Sequence, residues 1–555
     1  MNVLAEELKK VLSGEVSDSP QDLDAASRDA SLFRVTPEVV VYPKDVSDLE
    51  KLVAFVTQKK QVPKANISIT MRSAGTDMSG GPLNTSIVAD ATRHLNHIIE
   101  VSETSATTEP GVFFRDFDRE TKKKGVELPS YTASRELNTV GGMVANNSGG
   151  EKNLKYGKTA RYVEELDVVL ADGHVHTLKK LAGEALQNKL AEQSFEGDIY
   201  RKVAALVGTP AHQKIIKDAT PQVEKNSSGY ALWDIGNGTD SLNLARLMVG
   251  AQGTLGIISR IKVGLVKPKP YSAMTVVFVN SLSELGAIVP EALKAKPDSF
   301  ESYDDHTFKI ALKYFPEFAA QMKAGIVSLG FSFLPEVLMA LLGGIPKLIL
   351  MIEFCADTQA EALKNAEDLG AHIKALHNGA KVRVCRDEKA SRKYWVVRHE
   401  SFNLLRKKVR GKRTAPFIDD FVVPPNTLPE FLPKLEDILK NYKFIYTIAG
   451  HVGDGNFHII PLVDPKDTTV AKTIDELSHK VYDLVIEYHG SISGEHNDGF
   501  IRTPYVEKMF GPEMYALFLE VKKIFDPLNI FNPGKKVGST FSDALSHLDL
   551  PSVQK

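Results

Sequence analysis

Two spacings of apolar residues run along this chain, and each predicts a different kind of element. Val39-Val40-Val41-Tyr42 is a β-branched and aromatic run, and after Pro43 the apolar positions recur as Leu49, Leu52, Val53 and Val56. The first pattern predicts a strand; the second predicts an amphipathic helix, because a period near 3.6 collects those four side chains on one face. Ile67–Met71 predicts a second strand that runs directly into the small-residue loop Arg72–Gly81, and further strands are expected at Ser86–Asp90, Glu164–Leu170 and Gly256–Val266. After Pro268-Lys269-Pro270 the texture changes. Strand patterns at Ala273–Val279, Lys347–Phe354 and Lys381–Val384 alternate with helical patterns at Leu282–Lys294 and Thr358–Asn378, which predicts an antiparallel sheet flanked by helices. A last helix is expected at Glu513–Phe525. The expected divisions are an N-terminal helical segment (1–35), a first domain (36–268), a second domain (269–538) and a tail (539–555), without internal repeats.

A chain of 555 residues is too long for one compact core, so more than one domain is required. The formal charge of −2 excludes a nucleic-acid binder as a whole. Arg406–Arg413 holds six basic residues in eight, which suits a solvated loop, an anionic lipid surface or an acidic redox partner. The two cysteines, Cys355 and Cys385, lack Cys-x-x-Cys spacing, which argues against a disulfide framework and against cysteine-ligated iron–sulfur clusters. Met1–Leu12 is amphipathic and charged, unlike a secretory signal, so a cytoplasmic chain is expected. The segment Gly325–Pro346, with Glu336 its only charge, reads as a buried helix pair, as an apolar patch dipping into one leaflet, or as a membrane span broken by Pro335 and Gly343-Gly344. A peripheral position on the inner face of the membrane follows from the second reading.

Four glycine-rich clusters lie in the first half: Arg72–Gly81, Thr139–Gly150, Lys225–Tyr230 and Gly250–Ile258. Such loops expose converging backbone N–H groups that neutralise phosphate oxygens, and Ser73, Thr76 and Ser79 add hydroxyls. They predict a long cofactor carrying a pyrophosphate. No Gly-x-Gly-x-x-Gly follows the first strand and no Gly-Lys-Ser/Thr closes any of the four clusters, so the pattern is neither the dinucleotide fingerprint nor a Walker loop.

The second half carries Ala449-Gly450-His451-Val452-Gly453-Asp454-Gly455-Asn456-Phe457-His458 and, downstream, Ser493-Gly494-Glu495-His496-Asn497-Asp498-Gly499. His451, His458 and Glu495 form a ligand set that suits Zn²⁺, Mn²⁺ or Fe²⁺ with positions left open for substrate. His496 is then available as a base.

These cofactor loops, followed in order by His451, His458 and Glu495-His496, resemble the flavoproteins of the vanillyl-alcohol oxidase and p-cresol methylhydroxylase type, and within them the FAD-dependent D-2-hydroxyacid dehydrogenases of D-lactate type. The resemblance runs from Arg28 to Lys535. It implies an α+β architecture: a two-subdomain FAD-binding domain of the PCMH type, then a cap domain with an antiparallel sheet flanked by helices and an apolar insertion at about 305–346. It places Arg72, Ser73, Ala74, Gly75, Thr76 and Asp77, with Ser79 and Gly80, around the pyrophosphate. It sets Pro129, Ser134, Thr139, Gly142, Asn146 and Ser148 along the cofactor, Gly253, Gly256 and Ile257 near its ends, and Asn532 beside it. Thr76 stands where relatives with covalent flavin often carry histidine, which implies non-covalent FAD. Arg398, in Lys393–His399, is implied as the anchor of the substrate carboxylate.

The implied reaction is metal-assisted oxidation of a small D-2-hydroxy acid, with His496 taking the hydroxyl proton. Ile460, Ile418 and Phe402 are apolar where hydroxyglutarate-oxidising relatives are polar, which favours D-lactate. Electrons would pass to quinone, an electron-transfer flavoprotein or another redox partner. Other readings are a glycolate or other 2-hydroxyacid dehydrogenase or oxidase, a zinc hydrolase using the same triad, and a non-catalytic flavoprotein subunit.

Overall fold

The computed structural model describes residues 2–62, 65–313, 344–377, 380–409 and 411–550. Ile87–Asp90 pairs in parallel with both Val39–Tyr42 and Ile69–Arg72, and Glu15–Ser17 adds an antiparallel edge. Helix Val46–Lys60 starts where the side chain of Asp45 accepts from the backbone N–H of Asp48, and its Leu49, Leu52, Val53 and Val56 are fully buried. Burying each such side chain contributes roughly 1.5–3 kcal/mol before conformational entropy is charged. An all-antiparallel sheet of six strands follows, in the order Ile98–Val101, Ser105–Thr108, Ile257–Gly264, Val163–Val169, Val175–Ala182 and Ser241–Asn243.

The second antiparallel sheet has seven strands, in the order Lys381–Cys385, Tyr271–Val279, Leu348–Ala356, Ser299–Asp304, Ile448–His451, Asn456–Ile459 and Phe421–Val422. Its two faces differ. Val277, Phe300, Leu350, Phe421 and Phe457 pack against helices Leu285–Lys294, Gln359–Leu376, Leu428–Leu439 and Val470–Glu487. Because successive side chains on a strand point to opposite faces, Glu301, His451 and His458 emerge on the other side.

The last part of the chain does not stay with this sheet. Gly499–Phe525 is a long helix broken at Gly511 (φ 80°, ψ 159°) before Pro512, so the helix expected from residue 513 is only its second half. Phe510, Met514, Phe518 and Val521 pack with Tyr200 and Tyr230 in the core of the six-stranded sheet, and Ile530 and Phe531 enter the core of the parallel sheet. The stretch expected as a tail is corrected too: Leu548 and Leu550 are buried in the core of the seven-stranded sheet, and Leu548 bridges to Phe33. Among the described residues no helix is long and apolar enough to cross a membrane. Most of the apolar segment at 325–346 lies outside the described residues.

The hairpin that presents His451 and His458 turns through Gly455, whose φ of 69° is left-handed and whose α-carbon faces the Val423 carbonyl so closely that a Cβ would collide with it. Gly125 has a φ of 72° but open space around it. Gly125→Ala should therefore cost about 1 kcal/mol of stability, and Gly455→Ala on the order of 3 kcal/mol or more because strain and collision add. Thermal unfolding of the two variants, side by side, checks the difference.

Candidate active site

Sheet register builds one side of the site. Ala449 pairs with His458 and His451 with Asn456. Ser302 pairs with Gly450 and Tyr303 with Ala449, which sets Glu301 directly across from His451. The other side is the loop from Ser493 to Asp498, folded around buried charge. Asp420 accepts from the backbone N–H of Glu495 (2.9 Å) and of His496 (2.7 Å), and from Ser493 Oγ (2.9 Å). Lys158 donates to the Gly494 carbonyl (2.6 Å), and Lys536 donates to Asn497 Oδ1 (2.7 Å) while pairing with Asp498 (2.9 Å).

Glu495 Oε1 is where the two sides meet. Nε2 of His451, His458 and His496 lies 3.5, 3.3 and 3.8 Å from it. Every Nδ1 faces a carboxylate: His451 lies 2.5 Å from Glu301, His458 3.1 Å from Asp419 Oδ1, and His496 2.7 Å from Asp419 Oδ2. An ionised carboxylate only accepts, so in the neutral rings Nδ1 carries the proton and each Nε2 lone pair points inward. The second oxygen of Glu495 pairs with the fully buried Lys225 at 2.8 Å, which also donates to Asn456 Oδ1 at 2.8 Å.

Among the described residues, four buried carboxylates, Glu301, Asp419, Asp420 and Glu495, meet two cationic side chains directly, Arg398 on Glu301 and Lys225 on Glu495, while Arg502 donates to the backbone carbonyl of Asp419. Burial disfavours the charged form of His458, yet Asp419 and Glu495 outweigh it and push the imidazole up to about 10. Burial likewise opposes ionisation of Glu495, but Lys225 first, then His451 and His458, hold it well below the usual carboxylate range. The buried carboxylates favour positive charge among these imidazoles, which protonation or a divalent ion would supply. Ligand atoms of Asp420, His458, Glu495 and His496 lie within 4.8 Å of one another; His451 is not in that group, and its Nε2 lies 3.5 Å from Glu495 Oε1. The donor set of His451, His458 and Glu495 fits Zn²⁺, Mn²⁺ or Fe²⁺.

Beside this cluster opens a cavity of about 260 Å³. Arg72, Ser73, Gly75, Thr76 and Asp77 line it from the first glycine loop, Ser134, Gly142, Asn146 and Ser148 from the second stretch, and Gly253 and Gly256 from the last; Glu495 and His496 close one end. A side chain at Gly253 would enter open space, so the loop leaves room for a bound group there.

Several expected cofactor residues do other work. Ser79 bonds Asp77, Gly80 packs between Phe33 and Phe500, and Thr139 caps the helix Val140–Asn146 by accepting from Gly142 N–H. Ile257 is core, and Asn532 ties Thr70, Gly81 and Gln252 together behind the wall. Ala74 and Pro129 also stand off the cavity lining. The Lys225–Tyr230 loop, expected on the cofactor, instead grips the loop of Glu495: Ser227 Oγ donates to the Gly494 carbonyl and Ser228 Oγ to Asp498. Arg72 lines the cavity but spends its guanidinium on the carbonyls of Ala25, Ala26 and Arg28.

Arg398 Nη2 sits 3.3 Å from Glu301 Oε2, and its buried Nε has no hydrogen-bond partner among the described residues. Ile418 is fully buried in the apolar core and cannot read a substrate, while the side chain of Phe402 lies outside those described. Sequence reasoning passed over Glu301, Asp419 and Asp420, and took Lys225 only as the first residue of a cofactor loop. Asp419-Asp420 had a usable signal, two acids inside the apolar run Ala415–Val423; Glu301 had none, and nothing in the sequence pointed Lys225 toward Glu495.

Residues 37–179 match the family model described as FAD binding domain, and residues 269–536 the one described as FAD linked oxidases, C-terminal domain. The chain is 27% identical to D-2-hydroxyglutarate dehydrogenase of Pseudomonas putida over 94% of its length, but spans only 50% of that relative. It is 26% identical to D-lactate dehydrogenase of Archaeoglobus fulgidus (90% of this chain, 91% of the relative) and to glycolate oxidase subunit GlcD of Bacillus subtilis (91% and 89%). Its fold matches p-cresol methylhydroxylase with a TM-score of 0.67 at 15% identity, covering 97% of this chain and 96% of that one. The two matched domains, in this order and on this fold, make the chain a member of the FAD-linked oxidase family of flavoproteins.

Proposed function

We propose that this chain oxidises a D-2-hydroxy acid to the 2-oxo acid, with FAD held non-covalently in the cavity and D-lactate as the best-fitting substrate. One observation carries the reading: the end of the cofactor cavity is formed by Glu495 and His496, beside three converging Nε2 atoms and an arginine with an unused buried N–H.

Arg398 binds the substrate carboxylate through Nε while Nη2 stays on Glu301, which turns the hydroxyl toward the inward-facing imidazoles. His496 takes the hydroxyl proton at Nε2, the nitrogen left free by the bond from Nδ1 to Asp419. Burial opposes the resulting imidazolium, and Asp420 and Asp419 outweigh that opposition. FAD in the cavity would supply a two-electron acceptor, and His451, His458 and Glu495 would hold a divalent ion that would supply Lewis acidity.

The substrate's size is inferred from two supports. Ile460, two residues beyond His458, offers no partner to a second carboxylate. The relatives matched over about nine tenths of their length are named for D-lactate and glycolate, whereas those named for D-2-hydroxyglutarate are about twice as long as the matched region. With two free cysteines and no iron–sulfur spacing in the chain, electrons leave to an external acceptor such as quinone or an electron-transfer flavoprotein.

Purified protein should be yellow, and D-lactate should bleach it anaerobically faster than L-lactate or D-2-hydroxyglutarate; a colourless protein, or no bleaching by any 2-hydroxy acid, would defeat the reading. Dialysis against a chelator should leave the flavin absorbance and stop the bleaching, with zinc or manganese restoring it. His496→Ala should keep the flavin yet slow its reduction by at least 100-fold. Arg398→Gln should raise KM for D-lactate by on the order of 100-fold, since an anion loses its charged hydrogen-bond partner; steady-state kinetics checks it.

A further inference from the structure

Glu301 touches both halves of the chemistry. It lies on the central strand Ser299–Asp304 with 1% of its surface exposed. One oxygen accepts from His451 Nδ1 at 2.5 Å and the other pairs with Arg398 Nη2 at 3.3 Å. Sheet register sets Glu301 opposite His451, so backbone hydrogen bonds fix that first contact. Arg398 comes from a separate helix, Glu388–Lys408, and reaches the sheet face through this carboxylate. Asp419 makes a comparable bridge, but between His458 and His496 only. Among the described residues, Glu301 is the carboxylate bonded both to the imidazole cluster and to the arginine.

We propose that Glu301 is the positioning residue that couples the anion anchor to the imidazole cluster. This rests on the roles assigned above to Arg398 and His451. Through one rigid carboxylate, the orientation of the guanidinium and the direction of the His451 Nε2 lone pair are set together, so a change at Glu301 is felt at both places at once. A side chain serving only His451, or only Arg398, would not behave in this way.

The test reads each place without turnover. Flavin-loaded protein is titrated with oxalate, a non-reducing dicarboxylate probe, by perturbation of the flavin spectrum; metal-free protein is titrated with zinc against a chromogenic chelator. Glu301→Gln, which keeps shape but removes charge, should weaken both oxalate and zinc by at least tenfold. Glu301→Asp, which keeps charge but withdraws it, should weaken both as well, and it carries the test if the glutamine variant does not retain flavin. Either variant shifting one ligand while leaving the other within twofold of the parent overturns the proposal, as does no change in both. Because neither titration requires the enzyme to turn over, a parent protein that binds zinc and oxalate but is bleached by no 2-hydroxy acid counts against the proposed reaction and not against the bridge.

Discussion

A carboxylate taken out of water must be compensated, and the arrangement of this site follows from how Glu495 is compensated. One oxygen is held by Lys225, itself fully buried, which leaves the other as a single acceptor facing three imidazoles. Desolvation makes such a cluster a poor source of stability, so its value lies elsewhere. It gathers three imidazole Nε2 atoms and one anionic oxygen around one point, next to a cavity shaped by glycine loops. Lys158 and Lys536 extend the same logic along the backbone, each grasping the loop that carries Glu495 and His496.

The seven-stranded sheet supplies the rigid half of this arrangement. Alternation along its strands separates an apolar face, packed under four helices, from a face bearing Glu301, His451 and His458. The parallel and six-stranded sheets supply the cavity, and the kinked helix Gly499–Phe525 joins the two, starting just after His496 and ending in the core of the six-stranded sheet. The loop with Glu495 and His496 is therefore anchored on both sides.

The glycine loops divide between lining a cavity and supporting its wall. Three of the four line the cavity; the fourth, Lys225–Tyr230, braces the loop of Glu495 and His496. Within the first, Thr76 and Gly75 face the cavity, while Ser79 and Gly80 hold Asp77 and the Phe33–Phe500 contact that support it. Loops that approach a ligand closely need a second layer behind them, and that layer draws on the same small residues.

Local chemistry was legible from residue order: strands at Val39–Tyr42 and Lys381–Cys385, the buried face of Val46–Lys60, the glycine clusters, and the presence of His451, His458, Glu495 and His496 as donors. Periodicity and residue type report what a segment does with its immediate neighbours. They are silent on partners far along the chain. Glu301 meets His451 across 150 residues, Asp419 meets His496 across 77, and Lys225 meets Asn456 across 231. Those pairings depend on strand register and on which buried charges end up together, and neither exists until the sheets and helices have packed.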